Sequence, residues 1–426
     1  MILTIFLGTL LGAMAMGMSI AFALLLSGVA LMYHMDMFDA QIVAQNLING
    51  ADSFALLAVP FFLLAGEVMN VGGLSRRIVN VAMALVGHVK GGLGYVAILA
   101  SCILASLSGS AVADAAALAV LLVPMMVRAG HDQARSSALI AAGGIIAPII
   151  PPSIGFILLG VAGNLSISKL FLAGIVPGIL IALSLCVAWW WVSRSEDIQP
   201  APRKSAGEIM AAVRDGFWAL LLPGIIIGGL KFGIFTPTEA AVVAAVYSLF
   251  VAMVIYRELK PSQLFHVFTV SAQTTGIVMF LVAASLVSAW MITIADLPSQ
   301  LIELLAPLMD DPTLLMLVIM LIIVLVGTAM DMAPTILILA PVLVPVVTQA
   351  GIDPIYFGVL FIINTSIGLI TPPVGTVLNV VCGATRTKMG ALISAITPFL
   401  LAELAVLFLL VLFPSIVTVP AAWFAR

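Results

Sequence analysis

The chain has 426 residues, 63% of them apolar and only 8% charged, against about 25% charged in an average soluble domain. Its 16 basic and 19 acidic side chains cannot clothe a 44.5 kDa globule in a hydrated shell. A net charge of −3 with no basic stripe also gives nucleic acid nothing to hold. Lipid can cover such a surface, and the apolar stretches recur near the ~20 residues that cross a hydrocarbon core. An all-α, polytopic membrane protein is therefore expected.

The first stretch, Ile2 to Tyr33, carries no charge. A cleavable signal would need a basic start and a shorter apolar core, so this reads as a retained, tilted span. Basic residues then cluster at Arg76, Arg77 and Lys90; at Arg128 and Arg135; from Arg194 to Arg214; at Arg257 and Lys260; and at Arg386 and Lys388. Cytoplasmic loops collect Lys and Arg, so these are placed inside. Asp296 to Pro312 and Thr348 to Tyr356 hold none and are placed outside; Lys231, which falls outside on this path, is an exception. Residues 48–70 then run inward, and 92–127 enter and leave on the cytoplasmic side. Residues 136–160 run out and 170–193 return. In the second half 264–290 run outward, 313–347 enter and leave from outside, and 355–384 run in.

A shift of 221 positions lays Val123-Pro124 on Val344-Pro345 and Ala129-Gly130 on Ala350-Gly351. It also lays Asp132 on Asp353, Pro151-Pro152 on Pro372-Pro373, and Pro177 on Pro398. So many coincidences at one offset make an internal duplication. Because equivalent segments point opposite ways, it is an inverted-topology repeat, the plan of many secondary transporters. The expected division is an N-terminal span and connector over 1–47, acting as scaffold, and a first repeat over 48–193. That repeat has a re-entrant hairpin at 92–127 and a broken helix at 136–160. A cytoplasmic loop with linking spans covers 194–263. The second repeat, 264–413, has a hairpin at 313–347 and a broken helix at 355–384, and a tail covers 414–426.

Four interruptions break the apolar segments, two per half. Ser106-Leu107-Ser108-Gly109-Ser110, followed by Asp114, reads as one hairpin tip. Gly327-Thr328-Ala329-Met330-Asp331, ending at Pro334-Thr335, reads as the other. Ala147 to Ser153 and Gly368 to Val374 each contain paired prolines, which remove two backbone donors and push the preceding residue out of the α-region. Breaks at membrane depth persist only against protein or a water-filled cavity. One such kink alone is more often packing than a site; four, paired by the repeat, favour a site. The freed carbonyls and hydroxyls suit a small hard cation such as Na⁺, and helix N-termini at the breaks suit an anionic solute.

Single residues have plainer readings beside these. Asp114 and Asp331 either line the site or cap a hairpin helix. Asn379, one to two turns past the second proline break, either faces the cavity or not. Glu67 reads as structural, reaching water at the inner end of its span. Thr236-Pro237-Thr238-Glu239 reads as a helix start, and Trp189, Trp190 and Trp191 as an interfacial anchor. Cys102, Cys186 and Cys382 are apolar filler. His34, His88, His131 and His266 are expected at water-facing ends, with no metal-ligand spacing. Asn164-Leu165-Ser166 and Asn364-Thr365-Ser366 match glycosylation sequons by coincidence. Neither HExxH nor GxSxG occurs, so an enzyme is not expected.

Ser106 to Asp114, Ile146 to Ser153, Phe235-Thr236-Pro237-Thr238-Glu239-Ala240 and Gly368 to Pro373 together resemble the large permease subunit (M-subunit) of tripartite ATP-independent periplasmic (TRAP) transporters, up to about Pro414. Asn49 to Phe54 and Gly351 to Tyr356 resemble permeases for sugar acids of the 2,3-diketogulonate type. The resemblance implies an ion-transporter-superfamily-like elevator fold in the cell inner membrane. It implies a Na⁺-driven importer of an organic acid, a C4-dicarboxylate or a sugar acid, with no organic cofactor. A periplasmic substrate-binding protein would deliver the solute. A small membrane subunit (Q-type) would pack alongside as a separate chain, since no four-span segment follows this one. Gly327, Gly368, Thr371 and Val374 would hold one Na⁺. The internal offset puts Ser106, Ala147, Ile150 and Ser153 at the other, with Ser108, Gly109 and Ser110 near enough to replace Ser106. Asp114, Pro151, Pro152, Asp331, Thr335, Pro372, Pro373 and Asn379 would line the solute pathway. The rival reading is a stand-alone Na⁺/dicarboxylate symporter or Na⁺/H⁺ antiporter of similar architecture.

Overall fold

The computed structural model describes residues 2–194, 196, 198, 202–328 and 330–424, and every regular element among them is helical. Within the stretches named above, residues 195, 197 and 199–201 of the central linker, Ala329 in the second hairpin and the last two tail residues lie outside these. Eight of the described helices are long and apolar enough to cross a membrane.

Helices α1 (Ile2–Ala15), α2 (Ile20–His34) and α3 (Ala40–Ala51) lead into α4 (Ala58–Val71) and the short α5 (Leu74–Val86). The first hairpin is α6 (Gly92–Ser108) and α7 (Ala111–Arg128), and the first broken helix is α8 (Gln133–Gly144) and α9 (Ile154–Ala162). Then come α10 (Ile167–Ser193), α11 (Ala206–Lys231), α12 (Pro237–Phe250), α13 (Pro261–Ile294) and the short α14 (Leu297–Leu305). The second hairpin is α15 (Pro312–Gly327) and α16 (Met332–Gln349). The second broken helix is α17 (Pro354–Gly368) and α18 (Thr376–Thr385), and α19 (Met389–Leu412) and α20 (Ser415–Phe424) end the chain.

The duplication is visible in how helices stop and start. Gly130 and Gly351 both take a left-handed φ, +97° and +74°, which ends a helix without a Cβ clash. Two residues on, Asp132 accepts from the Arg135 amide at 2.8 Å and Asp353 from the Ile355 amide at 2.8 Å. These are N-caps, and they reopen the chain as α8 and α17. Ser110 and Asp331 hold equivalent positions and cap α7 and α16. Both proline pairs are cis. The two strongly amphipathic helices before the hairpins, α5 and α14, are also equivalent and have the character of helices lying along a membrane surface.

Packing forms two groups. Helices α2, α3 and α4 gather on α13, α12 packs on α4, and α1 leans on α2. The hairpins, the broken helices, α10 and α19 form the other group. There the halves interlock, with α7 against α18 and α16 against α9. Large apolar side chains such as Leu183, Val187 and Phe265 face outward, a surface suited to lipid rather than water.

Some polar residues lie elsewhere than expected. Trp189 is fully buried and donates to the Gly91 carbonyl at 2.8 Å, so only Trp190 and Trp191 remain exposed as an anchor. His131 is buried rather than water-facing, because Glu196 meets its Nδ1 at 2.7 Å and its ring lies against Trp189. The outlying Lys231 sits 4.3 Å from the Trp423 ring centroid, a cation–π contact that holds its charge at the edge of the bundle. Thr236 is the expected helix start. Its Oγ1 accepts from the Glu239 amide, and Glu239 in turn accepts from the Thr236 amide at 2.8 Å. Thr236→Ala is expected to cost about 1 kcal/mol, read as a lower melting temperature of the purified protein.

Candidate functional site

Each hairpin tip meets the broken helix of its own half. The first tip turns at Gly109, with φ +62°. A Cβ built there would lie 2.8 Å from the Pro152 carbonyl oxygen and 3.0 Å from the Ile154 nitrogen, so only glycine lets these backbones approach. The second tip ends α15 at Gly327, packed on Gly368, where a Cβ would lie 2.9 Å from the Gly327 backbone. The halves also touch. Met332, beside the second tip, is the nearest neighbour of Gly155, which follows the first break. All four interruptions therefore belong to one bundle. The first break is enclosed by protein and the second is partly open, protein and a water-filled cavity being the two settings that broken backbone at membrane depth tolerates.

At the first tip Ser108 donates to Asp114 Oδ1 at 2.6 Å and accepts from the Ser110 amide at 3.2 Å. Ser110 caps α7. Asp114 is 3% exposed and its Oδ2 has no hydrogen-bond partner. It thus fixes the tip and leaves one oxygen uncommitted. Ser106 turns back onto its own helix, donating to the Ile103 carbonyl at 2.6 Å. In the first break Ala147, Ile150, Pro151 and Pro152 are all buried. Ser153 donates to the Pro148 carbonyl and caps α9.

The second break is built differently. Thr371 donates to the Ile367 carbonyl at 2.7 Å. Pro372 is half-buried, while Pro373 and Val374 are exposed. Asn379 faces out and its Nδ2 donates to the Val374 carbonyl at 2.9 Å, pinning α18 to the break. Asp331 caps α16 through the Met332 amide, and Thr335 is buried and donates to the Asp331 carbonyl at 2.8 Å. Asp331 therefore caps, as Ser110 does, whereas Asp114 lies one turn into its helix.

The two halves differ in exposure. Residues 154–160 of α9 are all buried, whereas α18, its repeat equivalent, exposes Asn379, Gly383 and Ala384. An amide and small residues make a poor lipid face. They suit the wall of an aqueous opening on the side that the basic residues mark as cytoplasmic.

Residues 7–416 match the family described as the tripartite ATP-independent periplasmic transporter, DctM component. The chain belongs to that family. It is a transporter permease rather than an enzyme, and a multi-pass membrane protein. The permease is 57% identical to the 2,3-diketo-L-gulonate TRAP transporter large permease protein YiaN of Escherichia coli K12, over 99% of this chain and 100% of that one. It is 39% identical to the C4-dicarboxylate TRAP transporter large permease protein DctM of Pseudomonas aeruginosa, over 88% of each. Among solved structures, the YdaH transporter of Alcanivorax borkumensis superposes with a TM-score of 0.64. The match covers 88% of the permease and 89% of YdaH at 16% identity, and so speaks for the fold alone.

Three features of the permease escaped the sequence reading. Glu403 on α19 is completely buried with neither carboxyl oxygen bonded; a lone acid in a run as apolar as Leu400 to Leu412 was the available signal. Arg77 bonds Glu258 at 2.7 Å and Asp215 at 3.2 Å and lies 3.8 Å from the Tyr256 ring centroid, tying α5 to α11. Asn364 is buried and donates to the Met320 carbonyl at 2.6 Å, so it joins α17 to α15 and is in no position to carry a glycan.

Proposed function

We propose that this permease is the large transmembrane subunit of a Na⁺-driven importer of an organic acid in the cell inner membrane. A periplasmic binding protein hands the solute over, and a separate small membrane subunit packs alongside. The observation that carries this is the gathering of four paired backbone interruptions in one bundle, each hairpin tip against the break of its own half. Na⁺ would bind at Gly327, Gly368, Thr371 and Val374 in one half. In the other it would bind at Ala147, Ile150 and Ser153 with Ser106 or the neighbouring Ser108–Ser110. The hydroxyls of Ser106, Ser153 and Thr371 give their protons to backbone carbonyls, which leaves oxygen lone pairs that match a hard cation's taste for oxygen. The solute would pass between, beside Asp114, Pro151, Pro152, Asp331, Thr335, Pro372, Pro373 and Asn379. The sugar acid named for the 57%-identical relative supports an organic acid as cargo.

An elevator-like exchange fits the unequal halves. Elements related by the repeat, each following a cis proline pair, can trade environments, so α9 would open outward when α18 is covered. The hairpins, broken helices, α10 and α19 would move, and α1–α4 with α11–α13 would stay as scaffold.

Thr371→Val tests the cation site. The half-saturating Na⁺ concentration for uptake should rise about tenfold, measured in proteoliposomes with the binding protein and small subunit present. An unchanged Na⁺ dependence removes Thr371 from the site, and uptake with no soluble partner removes the tripartite reading.

A further inference from the structure

Between the first hairpin tip and a wall made by α4 and α13 lies a cavity of about 110 Å³. Ser108 and Ser110 line it from the tip, Glu67 and Asn70 from α4, and Ser271 and Thr274 from α13. Ser271 is 7% exposed and its hydroxyl oxygen has no hydrogen-bond partner among the described residues. That is unusual on this helix. Thr274 donates to the Val270 carbonyl, Ser285 to the Val282 carbonyl and Ser288 to the Leu24 carbonyl. A buried hydroxyl left open costs stability unless something in the cavity satisfies it. Glu67, read from sequence as merely reaching water, lines the same space half-buried, with no ion pair or hydrogen bond among the described residues. Asn70 spends its oxygen on Ser75 and keeps its amide donors.

The position is as telling as the chemistry. Ser271 is the eleventh residue of α13, about 15 Å along the helix, so it lies within that apolar span rather than at its end. A roomier cavity between α6 and α10, about 530 Å³, is lined almost wholly by apolar side chains such as Ile98, Leu99, Ile179 and Leu183, with Tyr95 and two cysteines beside them, and holds no charged group. The chamber at the tip offers hydroxyls, an amide and one carboxylate. A carboxylate accepts from O–H groups and repels another carboxylate, so this wall welcomes hydroxyls and rejects a second acid group.

Building on the reading of this permease as an organic-acid importer, we infer that the chamber takes the hydroxyl-bearing end of a monocarboxylic sugar acid, and that Glu67 and Ser271 discriminate against dicarboxylates. The volume accommodates several water-sized groups, enough for a polyol tail while the acid end stays at the breaks.

The test is binding to the purified permease with its small subunit in nanodiscs, with 2,3-diketo-L-gulonate and succinate as probes, which bypasses the binding protein. The wild type should bind the sugar acid and ignore succinate. Ser271→Ala should weaken sugar-acid binding about tenfold, Ser271→Thr should restore it, and Glu67→Gln should admit succinate. Wild-type affinities in both Ser271→Ala and Glu67→Gln overturn the chamber, as does a wild type that binds succinate and not the sugar acid. Uptake by the complete wild-type transporter separates the two levels. If it imports the sugar acid while the variants bind normally, the chamber alone falls; if it imports no organic acid, the importer reading falls with it.

Discussion

Gly368→Ala should reduce uptake by about one to two orders of magnitude, whereas Gly327→Ala should reduce it little. Both glycines lie at the same contact, so the difference is geometric. A Cβ on Gly368 would stand 2.9 Å from the Cα, carbonyl carbon and oxygen of Gly327, while one on Gly327 would stand 3.4 Å from Gly368 Cα. The first is a clash with backbone that no side-chain rotation relieves; the second is ordinary contact. Overpacking of this kind costs about 1–3 kcal/mol. Here it would be relieved by lifting the hairpin tip from the break, the joint at which Na⁺ is proposed to bind. The repeat supplies a control. The equivalent positions of the first half are Ala147 and Ser106, which already carry side chains, so Ala147→Gly should be mild. Uptake normalised to membrane-inserted protein measures all three. Equal losses at Gly327 and Gly368 would mean that mere loss of glycine, rather than the close approach, is what matters.

This contact shows where sequence reading stops. The 221-residue offset located both tips and both breaks because prolines, glycines and capping residues act on the chain next to them. Gly130 with Asp132 and Gly351 with Asp353 end and restart helices through local φ angles and caps, and a sequence records such things directly. That the chain holds two hairpins and two broken helices was legible for the same reason. Which side chains close on which is tertiary, and the pattern was silent there. Trp189 reads as one of three interfacial tryptophans until α6 is seen to bring the Gly91 carbonyl to its indole. His131 reads as exposed until Glu196 is placed beside it. Glu67 and Ser271 are 204 positions apart by sequence number, so nothing local links them. Nor does a repeat reveal that its copies differ in exposure, because α9 and α18 both follow a proline pair while the surrounding bundle decides which of them meets water.

Asp114→Ala should also lower uptake strongly, by about tenfold to a hundredfold, and Asp114→Asn should recover most of it. The carboxylate has two jobs at the first tip. Its Oδ1 holds Ser108 at 2.6 Å, and Ser108 in turn takes the Ser110 amide. Removing the acceptor leaves the O–H of a buried serine with nothing to donate to, at about 1–3 kcal/mol, in the residues that make the turn. Asparagine keeps an oxygen for Ser108, and the Oδ2 it replaces has no partner to lose. Recovery by asparagine therefore assigns the residue to shaping the tip. Loss in both variants assigns the charge itself a part in holding the cation or moving the solute. Ser108→Ala sharpens the distinction. If the two residues act as one unit, the double variant Ser108→Ala with Asp114→Ala should be no worse than Asp114→Ala alone. An additive loss would show that Asp114 also works through its second oxygen, the one the folded chain leaves open.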